Sequence, residues 1–89
     1  MLNPHIFREK LETAYCWFAN AVAAEDPGTT DHVKRLKVAR MMITEPVVFD
    51  KFIVLDMTAQ NFNSDTSQED INNRLSALGT NLVALGFGD

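Results

Sequence analysis

Apolar positions recur along this chain in four blocks separated by turn-forming residues. In the first block Phe7, Leu11, Ala14, Tyr15, Phe18 and Val22 follow at three- and four-residue intervals, the period of an amphipathic helix. Asn3 is a good N-cap, and Pro4 can take the first helical position, where its missing N–H costs nothing. Asp26-Pro27-Gly28 makes a turn, so the pattern predicts a helix over about 3–25. Ile6 and Trp17 fall on a neighbouring stripe. The aromatic cluster Tyr15, Trp17 and Phe18 reads as core, with Trp17 its candidate for a contact surface.

In the second block, about 30–44, His32, Val33, Leu36, Ala39 and Ile43 share a face. A hydroxyl cap from Thr29 or Thr30 and Asp31 in the first turn would start this helix. Glu45-Pro46 would end it, because the residue before a proline is pushed out of helical geometry.

The third block, PVVFDKFIVLDMTAQ (about 46–60), is apolar almost all round. Its β-branched residues admit a strand. Its length, its lack of alternation and the absence of a hairpin mate favour a helix. Val48, Phe49, Phe52, Leu55 and Ala59 then form one face, Ile53 and Met57 a flank, and Val47 and Val54 the back. Such a helix is covered on several sides. The other helices of so short a chain cover only part of it, which points to a partner subunit.

The fourth block, about 67–85, follows a loop, NFNSD, and a capping signature: Thr66 with Glu69, or Ser67 with Asp70. Ile71, Leu75, Leu78 and Leu82 make its stripe, with Leu85 at the end. Gly79 inside it either permits a close helix approach or breaks the helix. The tail Gly86–Asp89 should be mobile unless Phe87 docks on a neighbour. The expected architecture is therefore all-α, one domain over 1–89, packed as a small bundle of four helices.

Composition sharpens this picture in few places. At 89 residues the chain buries roughly 60–65% of the surface its unfolded form exposes, so oligomerisation would add stability it needs. A net charge of −4 argues against a nucleic-acid or anionic-membrane surface as principal partner. No stretch reads as a secretory signal or approaches the roughly 20 apolar residues of a membrane span. A lone cysteine, Cys16, precludes an intrachain disulfide and suits a reducing compartment.

Candidate chemistry is sparse. His5, His32 and Cys16 lack the spacing of a zinc site, and no glycine-rich phosphate loop is present. No catalytic residue, metal or cofactor is expected. His32 is read as structural, tying the Asp26–Thr30 turn to the second helix. Asp56, at the edge of the buried face, is read as an ion-pair partner of Arg40 or Arg74. Lys34, Arg35, Lys37 and Arg40 hold half of the eight positive residues. They raise an alternative: a small DNA-binding or anti-host regulator reading DNA with the second helix.

From Ala24 to Pro46 the chain reads AEDPGTTDHVKRLKVARMMITEP. With Glu25-Asp26-Pro27, a threonine, His32, Arg35-Leu36, Ala39 and Pro46, it resembles short helical proteins encoded among the structural genes of tailed bacteriophages. Asp65-Thr66 followed by Glu69-Asp70-Ile71 resembles their acidic cap before a last amphipathic helix. The likeness spans about half of the chain and departs at Asp31, where asparagine is expected. It implies a virion component, in head, neck or tail, made in the host cytoplasm and carrying no catalytic residues. Its partners would be copies of itself or a capsid, neck or tail protein. The contacts expected from surplus apolar surface are Ile6, Trp17, Val47, Val54 and Phe87, with His32, Arg35 and Asp56 as structural polar residues.

Overall fold

A computed structural model describes residues 3–89. Those residues form four helices and no strand: α1 (Pro4–Ala23), α2 (His32–Thr44), α3 (Pro46–Ala59) and α4 (Gln68–Ala84). The third block is thus helical and the bundle is as expected, with boundaries one or two residues tighter. α1 runs through the middle and packs on α2 and α4, and α3 closes against α2 and α4.

Each start and stop has a local cause. The Asn3 side chain accepts from the N–H groups of His5 and Ile6. Ser67, not Thr66, caps α4 by accepting from Asp70 N–H. Thr66 instead accepts from Asn63 N–H inside the preceding loop. α2 departs from expectation: its N-cap is Asp31, in the left-handed region at φ 67° with no side-chain cap bond. No threonine hydroxyl serves as its cap. A single residue, Glu45, separates α2 from α3, so the chain turns the corner without a loop.

α3 and α4 end in the same device. Asn61, in the left-handed region, donates to Thr58 O, and Phe62 donates back to Met57 O. Gly86, also left-handed, donates to Val83 O, and Phe87 donates to Leu82 O. Both are Schellman closures, which reverse the chain and lay the residue after the turn on the helix it has just left. The second closure carries the tail onto its own bundle. Phe87 stacks on Phe49 and Phe52, with ring centroids 5.8 and 5.7 Å away, and Lys34 Nζ lies 2.8 Å from the Asp89 carboxylate. The expected free tail, docking only on a neighbour, is therefore corrected to one packed within its own chain.

The buried stripe of α1 is the expected one. α4 adds Gly79 and Val83 to its stripe and leaves Leu85 exposed. α4 continues unbroken through Gly79, where the Phe18 ring occupies the space a Cβ would need.

Two faces are rotated from expectation. α2 buries His32, Val38, Ala39 and Met42, while Val33 and Ile43 are exposed. α3 buries Phe49 of the expected face together with the expected flank, Ile53 and Met57, and leaves Val48, Phe52, Leu55 and Ala59 outward. The reason lies in the two aspartates that bracket Phe49–Ile53–Met57. Asp50 meets Arg8 of α1 at 2.7 Å, and Asp56 meets Arg74 of α4 through Nε at 2.6 Å. Turning the other face inward would draw Lys51 towards the core and pull both carboxylates from their guanidinium partners.

Candidate interaction surface

The outward side of α3 is the most apolar exposed surface of the described chain. Val47 is 81% exposed, Leu55 61%, Val48 46% and Phe52 41%, and Val54 on its flank is 38% exposed. Fully burying one such side chain is worth roughly 1.5–3 kcal/mol, so a surface of several is an unusual expense in an 89-residue chain. It is held rigid from behind. Phe49 and Ile53 are fully buried, Phe87 presses edge-on against Phe52, and an Arg–Asp pair pins each side.

Electrostatics leave this surface nearly neutral. Asp50 raises the Arg8 pKa above its ordinary value, chiefly through their hydrogen bond, and Asp56 does the same for Arg74. Both carboxylates are thereby committed within the protomer. Lys51 is the one charge facing outward on α3 between Val47 and Leu55.

Beside this surface a groove of about 490 Å³ runs between α1, the end of α2 and the start of α3. Tyr15, Met42, Ile43 and Pro46 give it an apolar lining, and Arg8, Glu12 and Asp50 line its polar side with the exposed Cys16. Burial pushes the Tyr15 phenol up to about 12, so it stays protonated. A smaller recess of about 350 Å³, lined by Pro4, His5, Phe7, Arg8 and Val54, continues between α1 and α3. The Arg8–Asp50 bridge stands between α1 and α3, with Arg8 lining both hollows. The lining holds no nucleophile–base pair within hydrogen-bond reach.

The expected contact residues divide into groups. Val47 and Val54 lie on the α3 surface. Ile6 and Trp17 are exposed too, but about 16 Å apart along α1, and they are single apolar residues rather than a patch. Between them Lys10 donates to the carbonyls of Ser64 and Thr66, which places that side of α1 against the 61–67 loop, away from Asp50 and α3. Phe87 is spent inside its own chain.

The polar residues are structural, with altered partners. Asp56 takes Arg74 rather than Arg40. Arg35 Nη1 donates to both carboxylate oxygens of Glu25 at 2.6 Å and lies 5.8 Å over the Phe18 ring, tying the end of α1 to α2. His32 is buried beside this pair, but the expected side-chain bond to the turn is not made. Its Nδ1 is 3.9 Å from Glu25 Oε2 and has no hydrogen-bond partner. The turn is joined through the backbone instead, His32 N–H to Thr29 O.

The basic helix is partly consumed. Lys34 pairs with Asp89 and Arg35 with Glu25, leaving Lys37 and Arg40 exposed. Among the described residues no group of three or more His, Cys, Asp or Glu side chains is placed to hold a metal, and no helix is long and apolar enough to cross a membrane. Sequence reasoning missed the outward stripe of Val48, Phe52 and Leu55 and the Arg8–Asp50 pair. Asp50 and Asp56 stand on either side of Ile53 in the sequence, but only their partners Arg8 and Arg74, distant in the chain, give that spacing a meaning. The chain matches no protein-family model, and no curated protein or solved structure is significantly similar to it.

Proposed function

We propose that this protein is a non-catalytic association module of a tailed-phage virion. It acts through the outward face of α3 on copies of itself or on a larger head, neck or tail protein. The observation that carries the association is the rigid, nearly uncharged apolar surface of Val47, Val48, Phe52 and Leu55. Placement in a virion is supported by the resemblance of residues 24–46 and 65–71 to small phage structural-gene products. Virion components are present in many symmetric copies, so a small adhesive face is multiplied across the assembly. Synthesis in the host cytoplasm follows from that reading.

The test has two arms. Mass spectrometry of purified virions should find the protein, and the purified chain should retain a capsid, neck or tail protein or itself. Leu55→Glu, at an exposed site, should keep the fold and lose retention. Absence from virions would overturn the placement. Unchanged retention by Leu55→Glu would overturn the surface.

The DNA-reading alternative finds no favouring observation. Two of its four cations are engaged by Asp89 and Glu25, and specific DNA binding draws on several free phosphate contacts. The chain should pass a duplex DNA column unretained at low salt.

A further inference from the structure

α3 leaves outward a stripe spaced four, three and four residues apart: Val48, Phe52, Leu55 and Ala59. That is the a/d rhythm with which one helix packs lengthwise on another. The buried stripe, Phe49, Ile53 and Met57, runs at a constant interval of four and lies about 130° round the helix from it. α3 is thus a two-sided helix, with its inner side filled by its own bundle and its outer side in the register of a second helix.

We infer that the outer side of α3 takes the α3 of a second copy, antiparallel across a two-fold axis centred between Ile53 and Val54. This rests on the reading of α3 as the association face. A two-fold pairing demands that if residue i meets j, then j meets i. About that centre Val48 meets Ala59 of the second copy and Phe52 meets Leu55. A larger side chain thus faces a smaller one at each end, and the two bulkiest interleave in the middle. About that centre Lys51 is level with Asp56 of the second copy, on the other rim, and its neighbour along its own rim is the neutral Thr58, two residues out of step. Asp50 and Asp56 stay on the inner flanks with Arg8 and Arg74, so no carboxylate is stranded in the seam. Phe87 backs the Phe52 ring and holds it on the stripe.

The area available sets the strength. A helix of 14 residues is about 21 Å long and about 10 Å across, well short of the roughly 800 Å² each partner gives a standard interface. The pair is therefore a weak dimer, dissociating in the micromolar range or above. Repetition within an assembly makes it effective.

Short-span thiol crosslinking reads the register. In a Cys16→Ser background, Val48→Cys and Ala59→Cys proteins are treated with a short bismaleimide, separately and mixed. Residues 48 and 59 of opposite copies lie side by side in the antiparallel pair. Like residues are eleven positions, about 16 Å, out of step. The mixture should give roughly tenfold more covalent dimer than either protein alone, and adding Leu55→Glu to both should abolish it. Dimer formed chiefly within the single-variant samples would overturn the antiparallel register, while leaving α3 as an association face. A sedimentation monomer at several hundred micromolar, with no crosslink in any sample, would overturn the second copy as occupant. In that case retention of a larger virion protein still decides the functional reading.

Discussion

At Gly79 the Phe18 ring of α1 lies against the α4 backbone, and replacing the glycine with alanine tests how the bundle is packed. A Cβ at position 79 would sit 2.5 Å from Phe18 Cζ and 2.6 Å from Cε2. Carbon atoms rest at about 3.5–4.0 Å, so the ring or the helix must move by about 1 Å. Phe18 has no room to do so: it is fully buried, with the Arg35 guanidinium above its ring. Overpacking of a closed core costs about 1–3 kcal/mol, and so deep an overlap belongs in the upper half of that range. Alanine gains about 1 kcal/mol over glycine in a helix interior, which offsets part of the loss. Gly79→Ala should therefore destabilise the protein by about 1–2 kcal/mol, lowering Tm by roughly 5–15 °C for a domain of this size. Urea unfolding followed by circular dichroism measures the free energy and thermal melts measure Tm. Trimming the obstacle provides the control. Gly79→Ala combined with Phe18→Leu should lose less than the two single variants added together, since the clash is shared between them. If Gly79→Ala is neutral or more stable than the parent, helix propensity outweighs packing here and the close approach of α1 and α4 is wrong.

Further outcomes follow from the caps, the tail and the buried phenol. Ser67→Ala removes the acceptor of Asp70 N–H and should cost about 1 kcal/mol in urea unfolding, whereas Thr66, which serves the loop, contributes no cap to α4. Phe87→Ala should cost about 1–2 kcal/mol, below the 3–5 of a fully buried phenylalanine. It should also speed hydrogen exchange at the end of α4, and an unchanged exchange pattern would mean that the tail is not docked. Tyr15 ionises at about 12 when folded against 10 when unfolded, so in that interval the folded state holds the extra proton. Stability from this group is complete below pH 10 and is lost as pH rises towards 12. Absorbance at 295 nm should show no Tyr15 phenolate at pH 10.5 in the folded chain.

The order and kind of the elements were legible in the sequence because they depend on neighbours along the chain. Asn3-Pro4 starts α1, the 7–22 periodicity selects its face, and Pro46 and Ser67 begin the next helices with chemistry that acts within four residues. A face is readable in this way only where it contrasts with the rest of its helix, as in α1 and α4. α3 is apolar on nearly every side, so local pattern did not distinguish Phe49–Ile53–Met57 from Val48–Phe52–Leu55. Tertiary structure chose between them, because Arg8 and Arg74 reach Asp50 and Asp56 in one rotation of α3. The one-residue corner at Glu45 adds to this by fixing how α3 leaves α2. The tail was undecided for a related reason. Leu85-Gly86-Phe87 carries the signature of a Schellman turn, but the slot that Phe87 enters is made by α3, distant in the chain. Local sequence thus determined four helices and, the start of α2 apart, their ends. Which apolar side faces inward, and which stays exposed, depended on charges brought together from three helices only once the chain had folded.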